Sequence, residues 1–155
     1  QWFVWKTMLD NGDTDFAFEI ANRALEMWKE ETDFTYFTYE CFGIKTRRGG
    51  WFHNFGGLSA PISIWANAYY KSGTVTTGLD VWTDYQNITD DSAEISFKYF
   101  GNNDKYSMIV TLDDKNSYKA TVDGKPVDFK LRNGSALEFT FDGKIKKGVL
   151  KIEIA

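Results

Sequence analysis

The chain has 155 residues, enough for one ordinary domain or two small ones. Its net charge of −4 and pI near 5.0 argue against a nucleic-acid partner, which needs clustered Lys and Arg. The single Cys excludes an internal disulfide, no Cys/His cluster has zinc-site spacing, and no apolar run reaches the roughly eighteen residues of a membrane span.

Trp2 to Leu9 is short and apolar and reads as the end of a helix stopped at Asn11-Gly12. The sequence opens at Gln1 inside this amphipathic segment, so it is expected to be a piece of a longer protein. Asp13 or Thr14 then caps a second helix running to about Glu31, with Asp15 at the positive end of its dipole. Phe16, Ile20, Ala24 and Met27 share one face, and Ala17, Ala21 and Trp28 form a stripe beside it. Phe18 and Leu25 lie elsewhere, so the apolar arc calls for neighbours on two sides.

Residues 34–58 form an aromatic, glycine-rich loop that also holds the only Cys, the only His and Glu40. Its Arg47-Arg48, like Lys144 to Lys147, reads as a solvated face. Ser59 caps a third helix with Pro61 in its first turn, where proline loses no hydrogen bond, and the helix ends at Ser72-Gly73.

From Gly73 onward the period is two. Alternating runs at Ile95–Tyr99, Tyr106–Leu112, Tyr118–Val122, Val127–Leu131, Leu137–Phe141 and Leu150–Ile154 predict six or seven short strands, each with one apolar and one polar face. Asn102-Asn103, Asp123-Gly124, Asn133-Gly134 and Asp142-Gly143 supply the turns. The expected fold class is α+β, with a helical segment at 1–73 and an antiparallel β-sandwich at 74–155.

Sugars present flat C–H faces and many hydroxyls, so an aromatic loop holding one carboxylate suits a sugar site. Glu40 lies between Tyr39 and Cys41-Phe42, where partial desolvation would make it a better base. Its bland alternatives are a turn residue facing solvent or an ion pair with Arg47 or Arg48. Cys41 and His53 could form a thiol–imidazole pair, but no third orienting group is evident.

Tyr39-Glu40 followed by an aromatic, a glycine-rich spacer, and Phe55-Gly56-Gly57-Leu58-Ser59 opening a helix resembles the last part of the (α/α)6 toroid in glycoside hydrolase families 37 and 63. Those are trehalases and processing-type α-glucosidases. The resemblance covers about the first seventy residues. Cys41-Phe42 replaces the usual Asn-Tyr, and Gly57-Leu58 replaces a single Trp, which leaves the sugar open. The resemblance implies that residues 1–73 are the incomplete end of a catalytic toroid, and that Glu40 is the general base of an inverting hydrolysis. Tyr39, Trp51, Phe52, His53, Asn54 and Phe55 would bind substrate, and no metal or cofactor is implied. The general acid would be an Asp upstream of this sequence, so the fragment alone is expected to be inactive.

The expected partners are an oligosaccharide or glycoside, the missing N-terminal part of the same chain, and further copies of the fragment through its apolar helix faces. The competing expectation is a non-catalytic carbohydrate-binding or structural module. In it, Trp82, Tyr85 and Tyr99 form a binding face on the strands.

Overall fold

The computed structural model describes residues 1–54 and 56–155, with residues 56–59 described by their backbone alone. The helices are α1 (Trp2–Asp10), α2 (Thr14–Thr35) and α3 (Gly56–Tyr70), with β1 (Tyr39–Phe42) and β2 (Gly49–His53) between the last two. The chain then runs through β3 (Thr74–Thr77), β4 (Val81–Ile88), β5 (Ala93–Tyr99), β6 (Lys105–Thr111) and β7 (Tyr118–Val122). It continues with β8 (Lys125–Pro126), β9 (Lys130–Arg132), β10 (Ala136–Asp142) and β11 (Lys147–Ile154). The fold is α+β with antiparallel sheets, and the period changes from helix to strand just after Gly73 as expected.

Asp13 caps α2 by accepting the Phe16 N–H at 3.0 Å. The helix continues four residues past the expected end at Glu31, to a left-handed cap at Tyr36 (φ 62°). Its packed face is the small-residue stripe: Ala17 and Ala21 are buried, whereas Phe16 is 46% exposed. Small side chains let α2 approach its neighbours closely. Helix α3 starts at Gly56, not at the expected Ser59 cap, which lies outside the described side chains. Pro61 therefore sits in the second turn, where it removes a helical hydrogen bond.

Two antiparallel sheets follow, in the orders β3-β6-β10-β9 and β4-β5-β11-β7-β8. The hairpins β7–β8 and β9–β10 turn at Asp123-Gly124 (φ 49° and 78°) and Asn133-Gly134 (φ 51° and 79°). Paired positive φ values match the right-handed twist of the flanking strands. Gly143 serves differently, since a Cβ there would stand 1.9 Å from the carbonyl oxygen of Asn103.

The larger core gathers Ile95 and Phe97 of β5, Tyr106, Met108 and Val110 of β6, Phe139 and Phe141 of β10, and Leu150 and Ile152 of β11. A second core joins Trp5 and Leu9 of α1, Ala17 and Ala21 of α2, and Trp65 and Tyr69 of α3 to Ile109 and Ala136 on the four-stranded sheet. The expected one-sided strands therefore do not hold for β6 and β10, which are covered on both faces. Their second face mixes the apolar Ile109 and Ala136 with polar residues, whose buried groups find partners. Thr111 donates to the Ala68 carbonyl at 2.7 Å, Ser107 meets the Thr140 hydroxyl at 3.1 Å, and Glu138 receives both Nε and Nη2 of Arg132.

Candidate functional site

Residues 39–53 are a β-hairpin and not the irregular loop expected from the sequence. Tyr39 pairs with His53, Cys41 with Gly50 and Phe42 with Gly49. One residue, Glu40, thus stands between two ladder positions on β1, opposite two residues, Trp51 and Phe52, on β2. This is a β-bulge, a device that re-aims side chains and ends regular pairing. Trp51 takes φ 67°, a left-handed conformation that costs a bulky residue roughly 1–2 kcal/mol. Its ring gains little burial in return: Trp51 is 80% exposed and Phe52 69%. Asn54, also left-handed, closes the hairpin base by donating its N–H to the Thr38 carbonyl at 2.6 Å.

The tip of the hairpin is fastened to α2. Arg47 Nε lies 3.1 Å from Glu30, and Arg48 Nε lies 2.7 Å from Oε2 of Glu31. The second contact is off the N–H direction, so Oε2 is paired ionically, while Oε1 accepts a hydrogen bond from Nη2 of Arg48 at 3.3 Å. The Arg48 guanidinium also covers the Phe34 ring at 4.4 Å. Arg47 and Arg48 are exposed, as expected, yet each also pairs with an acidic residue of α2, and neither reaches Glu40.

Glu40 itself is half-buried, and among the described residues no ion pair or side-chain hydrogen bond engages it. Tyr39 packs flat on the opposite strand, where a Cβ on Gly49 would come within 2.2 Å of its ring. One face of the ring thus supports the hairpin. His53 is exposed and rests against Phe37, with ring centroids 4.9 Å apart. The Cys41 thiol points to the Gly50 carbonyl at 3.7 Å, while His53 stands opposite Tyr39, so the two do not form a thiol–imidazole pair.

The structure therefore brings Glu40, Trp51 and Phe52 together at one bulge, with His53 and Asn54 at its end. Phe55 lies outside the described residues. The two described clefts lie elsewhere, one beside Asn102–Lys105 and one beside Ser96–Lys98. Among the described residues, no group of three or more His, Cys, Asp or Glu side chains is placed to hold a metal ion. No helix among them is long and apolar enough to cross a membrane.

On the sheets, Trp82 and Tyr85 are exposed as expected, but Tyr99 is 3% exposed and belongs to the core. It shares the inward parity of Ile95 and Phe97 on β5, which places Phe100 outward in its stead. That parity was the missed signal for the exposed pair Trp82–Phe100, whose ring centroids lie 5.9 Å apart.

Comparison of the chain with protein families, curated proteins and solved structures finds no match.

Proposed function

We propose that this chain is the C-terminal part of a carbohydrate-active glycoside hydrolase in which Glu40 is the general base. The observation that carries the reading is a half-buried carboxylate, without a counter-ion among the described residues, at a bulge that holds two exposed aromatic rings. A left-handed, solvent-facing Trp51 lowers stability, and such strain persists where a site needs the geometry. In the proposed reaction Glu40 takes a proton from water as the water oxygen bonds to the anomeric carbon. The glycosidic C–O bond breaks, and an acid on the opposite sugar face protonates the leaving oxygen. Inversion requires the two carboxyls to lie roughly 6.5–9.5 Å apart, with the acid supplied by an upstream part of the parent. Trp51 and Phe52 cover sugar C–H faces, and His53 and Asn54 bind hydroxyls.

In the same reading the helices end an (α/α)6 toroid and the two sheets form an appended β-sandwich. Phe3, Val4, Phe16, Ile64 and Tyr70 support this, because these helix positions leave apolar side chains 39–70% exposed on faces that further helices would cover. A second reading, a non-catalytic carbohydrate-binding or structural module, is favoured by Glu40 lying outside both described clefts. The test is Glu40→Gln in the full-length parent, assayed on α-linked disaccharides and aryl glycosides. Loss of hydrolysis with sugar binding retained supports the base; full turnover refutes it.

A further inference from the structure

We propose a second binding site, one for a neutral oligosaccharide, built from the exposed Trp82–Phe100 pair and the amide-lined cleft next to it. The proposal stands on these residues and does not need Glu40 to be a base. Trp82 and Phe100 are 65% and 63% exposed and meet edge to face at 77°. Trp82 pairs across the strands with Lys98, which shares the outward parity of Phe100, so both rings project from the solvent face of the sheet at its β4 edge. Large rings left in water at a sheet edge forgo burial and invite association, which marks them as a contact surface. Leu79, 46% exposed on the turn that leads into β4, extends this apolar border.

Two residues beyond Phe100 the chain reaches the cleft. Asn102, Asn103, Asp104 and Lys105 line it together with Asn11 from the end of α1. It is a shallow depression open to solvent, with room of about 510 Å³. A separation of two residues keeps the Cα atoms of Phe100 and Asn102 within about 7 Å of each other, so rings and amides can serve one ligand.

The frame of this cleft is fixed before any ligand arrives. Asn103 donates its side-chain amide to the Asp10 carbonyl at 2.8 Å and its N–H to the Tyr99 hydroxyl at 2.9 Å. Lys146 donates to the Gly101 carbonyl at 2.7 Å, and Gly143 donates to the Asp104 carbonyl at 2.7 Å. Among the described residues, the side chains of Asn11, Asn102 and Asp104 have no such commitment, so they are available as donors and acceptors for hydroxyls. A backbone frame already fixed leaves only these side chains to be ordered on binding. The charges of Asp104 and Lys105 cancel, which favours an uncharged ligand over a nucleotide or an acidic glycan. A pyranose offers flat C–H faces to Trp82 and Phe100 and hydroxyls to the amides, and a chain of several sugars reaches both.

The test is affinity electrophoresis of the chain in gels carrying soluble starch, pullulan, xylan, mixed-linkage β-glucan or galactomannan. At least one polymer is expected to retard it. Trp82→Ala should weaken that retardation at least about tenfold and Asn102→Ala about threefold, while Leu131→Ala, at an exposed apolar position on the other sheet, leaves it unchanged. Phe100→Ala is the second ring variant if Trp82→Ala melts early by circular dichroism. Retardation lost in Trp51→Ala but kept in Trp82→Ala moves sugar binding to the hairpin, which overturns this proposal and leaves the Glu40 reading standing. Absence of retardation by every polymer also overturns it.

Discussion

The guanidinium of Arg48 lies 2.7 Å from the carboxylate of Glu31, and the two residues come from the hairpin tip and the last turns of α2. Glu31 is 3% exposed, while the Arg48 side chain is 52% exposed, so the contact is a buried anion held by a half-exposed cation. Removing the cation strands the anion in a low-dielectric setting, which costs more than neutralising the anion. Arg48→Ala is therefore expected to destabilise the protein by about 1–3 kcal/mol, and Glu31→Gln by less. Urea midpoints of the two variants decide it: a larger loss in Glu31→Gln means the stranded charge is not the source.

The strained bulge makes a second prediction. Trp51 at φ 67° costs roughly 1–2 kcal/mol, and its exposed ring returns little by burial. Glycine adopts the same backbone freely, though it brings about 0.5–1 kcal/mol of extra unfolded-state entropy. Trp51→Gly should be at least as stable as the native chain in thermal melts. A loss greater than about 1 kcal/mol would show that the ring is packed in solution, contrary to its exposure.

Asp10 ties the helical half to the strands. Its carboxylate accepts the N–H groups of Leu79 and Asp80 at 2.9 and 3.0 Å, and it lies against Gly78, where any Cβ would collide with it. A carboxylate at a helix C-terminus opposes the helix dipole, so its place is explained by the turn it holds. Asp10→Ala leaves both N–H groups without acceptors and should cost about 2–4 kcal/mol, with Asp10→Asn in between. Equal midpoints for Asp10→Ala and the native chain would refute the account.

Much of this architecture was legible from residue order. Asp13, Asn11-Gly12 and the alternation of Ile95, Phe97 and Tyr99 act through neighbours in the chain, so local chemistry reveals them. The hairpin at Tyr39–His53 was hidden because its bulge breaks the alternation at the point where Glu40 sits. The double burial of β6 and β10 was hidden because Ser107, Thr111 and Glu138 look solvent-facing until a helix carbonyl, a hydroxyl and Arg132 are brought to them. The ion pairs of the exposed Arg47 and Arg48 were hidden for a related reason, since their acidic partners lie on the preceding helix and no local pattern links them. At the candidate site, residue types indicated Glu40 and Trp51, but only the register shows that they occupy opposite strands of one bulge.

Asp15 supplies the pH prediction. It opens the first turn of α2 and pairs with Lys130 and with Arg132, whose Nη2 lies 2.6 Å away, and Arg132 in turn holds the buried Glu138 and covers the Phe18 ring at 4.4 Å. Hydrogen bonds from Arg132 and then Lys130 lower the Asp15 pKa from 3.8 to about 2. A carboxylate whose folded pKa lies below its unfolded value stabilises the fold fully above the unfolded pKa, and that stabilisation fades as pH falls towards the folded one. The window for Asp15 thus runs from just above 3.8 down to about 2. Because its side chain is 71% exposed, solvent screening limits the contribution to about 0.5 kcal/mol. The stability gap between the native chain and Asp15→Asn should be flat from about pH 7 to about pH 5, then close towards about pH 2. At neutral pH, about 1 M salt should narrow the same gap, because screened charges attract less. Measuring the gap between variants cancels the titration of every other carboxylate. A gap that persists undiminished at about pH 2 would assign the effect to helix capping or packing rather than to the ion pair.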